Sequence, residues 1–188
     1  MAKLGIFVGS FNPPHMKHFE LADKIIKRKI VDKIIFIPVN RSSKNLVDFN
    51  HRYNMIKLYT DRFRRLDVSD IERDTNEIFN YKHLNKLKDV YDDDIYIIMG
   101  SDNFLDFKNW ENNDELIKDN KMVVVIREGY DCDLILNQYE DNQNITITKP
   151  VGILSSSIVR YLLKEDKSIN GLVDDEIIEY IKKNNLYS

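Results

Sequence analysis

Cysteine is almost absent. The one thiol, Cys132 in "YDCDL", has no second sulfur to pair with in a chain of 188 residues. An internal disulfide framework is excluded, and no partner stands at the spacing of a cysteine-based zinc site, which suits a reducing cytosol. Long apolar runs are missing too. No stretch approaches the roughly 18 consecutive apolar residues of a membrane span. The opening "MAKLGIFVGS" is too short in its apolar part, and lacks a cleavage-like site, for a signal peptide. A soluble, cytoplasmic protein with no membrane partner is expected. Neither charge is in excess: 28 basic residues face 31 acidic ones, for a formal net charge of -3. That is neither the basic surplus of a general nucleic-acid binder nor the acidic surplus of a disordered tail. No nucleic-acid partner is expected, and any anion must be held by a local arrangement. Internal repeats, low-complexity tracts and linker-like shifts of composition are absent. Residues 1–188 are therefore expected to form one domain, with 155–188 as a helical C-terminal subregion.

What is present is an alternation. Short β-branched and aromatic runs, "KLGIFV", "KIIFIPV", "RRLDVSD", "DIYIIMG", "KMVVVIR" and "NITIT", are separated by segments of helical period. Helices are expected over about 16–29, 50–60, 78–90, 113–119, 156–164 and 174–184. Continuous apolar strands between helices are the signature of βαβ units buried on both faces, so the expected fold is α/β, a doubly wound parallel sheet. Ligands of such sheets bind beyond the carboxyl ends of the strands, beside the reversal of strand order. Three loops are chemically unusual: "GSFNPPHMKH" after the first strand, "GSDNFLDFKNW" after the fourth, and "GILSSSIVRYLL" at the start of a late helix.

In the first loop, Gly9 ends the strand without a β-carbon, so that backbone or ligand can come close. Ser10 and Asn12 offer short polar groups. His15 and His18, three residues apart across a helix N-terminus, can point to one side and donate hydrogen bonds to an anion. Two bland readings compete: a solvated pair of histidines, or half of a zinc site. Zinc lacks a third ligand at a recognisable spacing, since only His51, His83 and Cys132 remain. In the late loop, Ser155, Ser156 and Ser157 can cap a helix, with Arg160 one turn on and able to face the same anion. Taken alone, that is an ordinary cap followed by a surface arginine.

Together, "GSFNPPHMKH" and "SSSIVR" resemble the GxFxPxHxGH and (S/T)xxR-type signatures of the nucleotidyltransferases related to class I aminoacyl-tRNA synthetases. The resemblance is closest to the nicotinate or nicotinamide mononucleotide adenylyltransferases. It runs over nearly the whole chain, through "FIPVN", "FNHRYNMIKL", "IMGSDNFLDFKNWENNDELI" and "IIEYIKKNNLY". It implies a Rossmann-like nucleotidyltransferase fold and adenylyl transfer from ATP to a pyridine mononucleotide, with release of pyrophosphate and no covalent intermediate. By resemblance, His15, His18 and Arg160 act on the phosphates. Gly9, Ser10, Phe11, Asp102, Ser156 and Ser157 bind ATP, with Asp102 on the ribose hydroxyls. Asn80 and Trp110 bind the mononucleotide, Trp110 by stacking on the pyridine ring, and Arg41 or Lys44 takes over any phosphate contact where the family has a basic pair. Mg²⁺ is implied as substrate-bound, with no dedicated protein ligands.

Three departures from the family pattern stand out. Lys17 replaces the glycine of HxGH, "NRSSKNL" replaces a basic pair after two prolines, and "NEIFNYKHL" replaces a Ser-Tyr-Thr stretch that helps recognise the pyridine carboxylate. Nicotinate is favoured over nicotinamide by the bacterial layout. Phosphopantetheine as acceptor, or a nucleotide-binding module without turnover, are the alternatives. Whether the protein forms a homo-oligomer stays open at this point, as does the docking of the C-terminal helix on its own chain.

Overall fold

The computed structural model describes residues 2–40, 46–74, 81–91, 93–106, 115, 117–118, 120–126, 142–148 and 152–187; the side chains of 81, 102, 105 and 106 lie outside that description. Six strands are present: β1 (Lys3–Gly9), β2 (Lys33–Pro38), β3 (Leu66–Val68), β4 (Asp94–Gly100), β5 (Lys121–Val125) and β6 (Ile145–Thr148). The helices are α1 (Met16–Lys27), α2 (Phe49–Thr60), α3 (Tyr81–Val90), α4 (Ser101–Asp106), α5 (Ser156–Lys164) and α6 (Asp175–Lys183). All strands are parallel, in the order β3-β2-β1-β4-β5-β6. The doubly wound sheet expected from the sequence is the sheet observed.

Burial on both faces explains the apolar runs. Along β1, Leu4, Ile6 and Val8 pack on one face of the sheet with Ile35, Ile37, Ile97 and Leu84, while Phe7 packs on the other with Phe36, Ile98, Phe19 and Ile25. α1 presents Phe19, Ala22, Ile25 and Ile26, a helical spacing, to that second core. One expectation needs adjustment, one helix is added to those expected, and two further expectations fall on residues the structure does not describe in full. "RRLDVSD" forms only a three-residue strand at the sheet edge, where Ile34, Ile35 and Phe36 are its partners. α4, six residues directly after β4, is too short to show an amphipathic repeat in the sequence. The helix expected over 113–119 and the start of the one expected from 78 fall mostly outside the described residues.

The C-terminal region docks on its own chain. Asp174 caps α6 through Glu176 N–H and receives Arg62 Nη2 at 2.7 Å. The Tyr180 hydroxyl meets His51 Nδ1 at 3.0 Å and Asn54 Nδ2 at 3.2 Å on α2. Ile177, Ile178 and Ile181 complete the core around α1 and α2.

One buried cation ties together the loops that leave the central strands. Arg52 of α2 is 1% exposed. It donates from Nη1 to Ser10 O at 3.0 Å and to Val39 O at 2.7 Å, and from Nε to Val47 O at 2.8 Å. Burial lowers its pKa against the opposing pull of Tyr187, Asp48 and Glu72, yet a guanidinium stays charged at any working pH. The loops after β1 and β2 are thereby fixed to one side chain. Arg52→Met, which keeps the stem and removes every donor, is expected to cost about 2–5 kcal/mol in urea denaturation by orphaning three carbonyls. A loss below about 0.5 kcal/mol would show that other donors or water replace the guanidinium.

Candidate active site

The strand order reverses between β1 and β4, so the helices that follow these two strands leave to opposite faces and a crevice opens beyond Gly9 and Gly100. A cavity of ≈ 450 Å³ occupies it, lined by the end of β1 through Asn12, by His15 and His18, by Leu46, Gly100 and Asn103, and by Ser155, Ser156, Ser157 and Arg160. Two of the three loops singled out in the sequence, the first and the last, are separated by most of the chain and form opposite sides of one cleft, and the loop after β4 reaches it through Gly100 and Asn103.

Gly9 lines the cavity and also makes room for a neighbour within the chain. A β-carbon there would stand 2.9 Å from Cζ of Phe11, so what approaches the glycine is the chain's own aromatic ring. Phe11 has φ 46, a left-handed conformation that turns its side chain inward. The ring packs edge-on against Phe7, Phe36 and His18 and is 2% exposed. The Phe11 side chain thus serves the core and supports the histidine.

His15 occupies the N-cap of α1 with extended backbone, and His18 lies at N3. The His15 N–H donates to His18 Nδ1 at 3.1 Å. An amide can only donate, so this bond leaves the neutral His18 ring with its proton on Nε2. The two imidazoles stack with centroids 3.6 Å apart. The amides of α1 are less open to an anion than the sequence suggested: Met16 N–H donates to Leu172 O at 2.9 Å and His18 N–H to His15 O at 2.9 Å. Of the three amides in the first turn of α1, those of Met16 and His18 are thus engaged within the chain.

At the other side, the Ser155 hydroxyl caps α5 by accepting from Ile158 N–H at 3.3 Å. Ser156 Oγ donates to Pro13 O at 2.8 Å, and Arg160 Nη1 donates to Asn12 O at 2.7 Å. Arg160 Nη2 also donates to Ser157 Oγ at 3.1 Å. These bonds clamp the late turn onto the first. They hold the guanidinium at the cleft with further N–H donors in its planar fork.

Lys17, standing where the family pattern has glycine, does not line the cavity. Its Nζ pairs with Glu20 at 2.6 Å, and its stem runs past Gly152, where a β-carbon would lie 3.5 Å from Lys17 Cε. The lysine leaves the cleft clear.

His15, His18, Gly9, Ser10, Phe11, Ser156, Ser157 and Arg160 are brought together around the cavity. Asp102 is at the second position of α4, just beyond Gly100, with its side chain outside the described residues. Arg41, Lys44, Asn80 and Trp110 lie outside them as well. Sequence reasoning missed Asn103 and Leu46 as lining residues, for neither carries a motif. It also missed the hub role of Asn12, whose Oδ1 accepts from Val47 N–H at 3.1 Å and from the Tyr187 hydroxyl at 2.9 Å. Among the described residues, no group of three or more His, Cys, Asp or Glu side chains could hold a metal, and no helix is long and apolar enough to cross a membrane.

The cytidylyltransferase-like family model matches residues 6–162. A protein of Carboxydothermus hydrogenoformans named "Probable nicotinate-nucleotide adenylyltransferase" is 32% identical, over 99% of this chain and 98% of its own length. One of the same name from Clostridium acetobutylicum is 32% identical over the whole of both chains. Among solved structures, the nicotinic acid mononucleotide adenylyltransferase of Plasmodium falciparum complexed with NaAD superposes with a TM-score of 0.83. That match has 23% identity and covers 100% of this chain and 98% of that one, and it shows a shared fold. A cleft closed by both signature loops, on this sheet and with these full-length relatives, places the chain in the cytidylyltransferase-like family, among the nicotinate-nucleotide adenylyltransferases.

Proposed function

We propose that the cleft seats the triphosphate of ATP between the first turn and the start of α5, and that the enzyme transfers the adenylyl group to nicotinate mononucleotide. The observation that supports this most is that the opposing walls offer donors to one cavity: imidazoles from the start of α1, the Ser157 hydroxyl and a guanidinium from α5. Such a set suits a polyanion.

A 5′-phosphate oxygen of the mononucleotide attacks the α-phosphorus in line. As the new P–O bond forms, the bond from the α-phosphorus to the bridging oxygen breaks, and pyrophosphate leaves with the electron pair. No protein nucleophile takes part. The enzyme contributes position and charge stabilisation. His18 donates from Nε2 to the transferring phosphoryl group, its ring aimed by the His15 amide before substrate arrives. Arg160 and the Ser157 hydroxyl hold the β- and γ-phosphates as charge moves onto the leaving group, while Ser156, whose one hydroxyl proton goes to Pro13 O, holds the turn they stand on. Mg²⁺ enters as part of the substrate, MgATP, on phosphate oxygens. Asp102 takes the ribose hydroxyls, Asn80 and Trp110 take the mononucleotide, and Arg41 or Lys44 takes its phosphate; these assignments rest on the sequence alone.

Purified protein with ATP, Mg²⁺ and nicotinate mononucleotide is expected to release pyrophosphate and form deamido-NAD, faster than with nicotinamide mononucleotide and with no product from phosphopantetheine. Preference for another acceptor would change the substrate. ATP binding without pyrophosphate release from any acceptor would reduce the protein to a binding module.

His18→Ala is expected to lower kcat by about 100-fold or more, with KM for the mononucleotide changed little, because its bond strengthens as charge develops. Steady-state kinetics would contradict this role if kcat held and only KM rose.

A further inference from the structure

We propose that Tyr187 is a positioning residue for the triphosphate-gripping turn, acting through Asn12 from 175 residues away in sequence. The inference rests on the assignment of the cleft to ATP. The Tyr187 hydroxyl donates to Asn12 Oδ1 at 2.9 Å, and the same oxygen accepts from Val47 N–H at 3.1 Å. Because an amide can only donate, the Val47 bond fixes which end of the Asn12 carboxamide faces inward. Two donors, from the loop after β2 and from the segment after α6, therefore hold one side chain of the signature turn.

The main chain of the same residue carries the contact to the opposite wall, since Asn12 O accepts from Arg160 Nη1 at 2.7 Å. Asn12 thus joins four parts of the fold, and its orientation sets where Arg160 points. Tyr187 is held for this task. Its φ of 67 is a left-handed conformation that a bulky aromatic rarely adopts, and Asn185, at φ 50, shares it. Leu186 N–H returns to Ile181 O at 3.1 Å, and both Leu186 and Tyr187 pack against the core. Burial raises the pKa of the phenol, more than offsetting the nearby Arg52 and Arg160 cations, so the hydroxyl keeps its proton and stays a donor.

Tyr187→Phe keeps the ring packing and removes only that donor. With the full-length protein, ATP affinity by calorimetry and kcat/KM for ATP are expected to fall together by about tenfold, while KM for the mononucleotide stays within about twofold. The melting temperature is expected to move by no more than a few degrees. Asn12→Ala already removes the acceptor, so adding Tyr187→Phe to it should produce little further loss. Unchanged ATP affinity in Tyr187→Phe, full additivity of the two substitutions, or a parallel shift of both KM values with a large drop in melting temperature would each overturn the proposal. Wild-type protein that fails to bind ATP would defeat the cleft assignment itself; wild type that binds while Tyr187→Phe binds equally well would defeat only the positioning role.

Discussion

The site depends on one long-range closure: Arg160 and Ser156, at the start of α5, donate to the carbonyls of Asn12 and Pro13 in the turn after β1. A parallel sheet whose strand order reverses leaves an open crevice between β1 and β4. Without a partner across it, the first turn would be a loop with two histidines and no opposing charge. Closure converts that loop into one wall of a cavity and fixes the guanidinium that forms the other. Everything else in the fold that bears on the site holds one of these two turns.

The supports come from different directions. Arg52 fastens the main chain at Ser10 from beneath, where burial makes each of its hydrogen bonds costly to lose. Phe11 turns its ring under Gly9 and braces His18 edge-on. α6 packs on α2 and brings the segment that ends at Tyr187 against Asn12. A donor array fixed in advance does not have to reorganise as charge builds on a phosphoryl group, which is where such sites gain most of their rate. The same arrangement accounts for the tolerance of Lys17: its ammonium is taken by Glu20 outside the cleft, so the loss of the usual glycine leaves the walls intact.

The four inner strands, β1, β2, β4 and β5, are legible because burial on both faces makes each read as an apolar run, whereas β3 is shorter than expected because only Leu66, Asp67 and Val68 find partners at the edge. α4 is too short for its six residues to hold a full amphipathic repeat, so the sequence gives no periodic signal for it. The histidines, serines and Arg160 were legible as motif residues, whereas the tautomer of His18 was not, since it follows from a backbone contact at 3.1 Å. The sequence marks Gly9 as a place of close approach, whereas the Phe11 ring that stands there follows from tertiary packing. Arg52 sat unmarked in "FNHRYNMIKL": its partners Ser10 and Val39 are 42 and 13 residues away, and nothing local announces a buried cation. Tyr187 was hidden for the same reason.

The most direct measurement is a crystal structure of the protein with a non-hydrolysable ATP analogue and Mg²⁺. The triphosphate is expected to span the cleft, with His18 Nε2 on the α-phosphate side, Arg160 and the Ser157 hydroxyl on the β- and γ-phosphates, and the Ser156 bond to Pro13 kept. A nucleotide bound elsewhere, or one that touches the first turn while the start of α5 stands clear of its phosphates, would contradict the account.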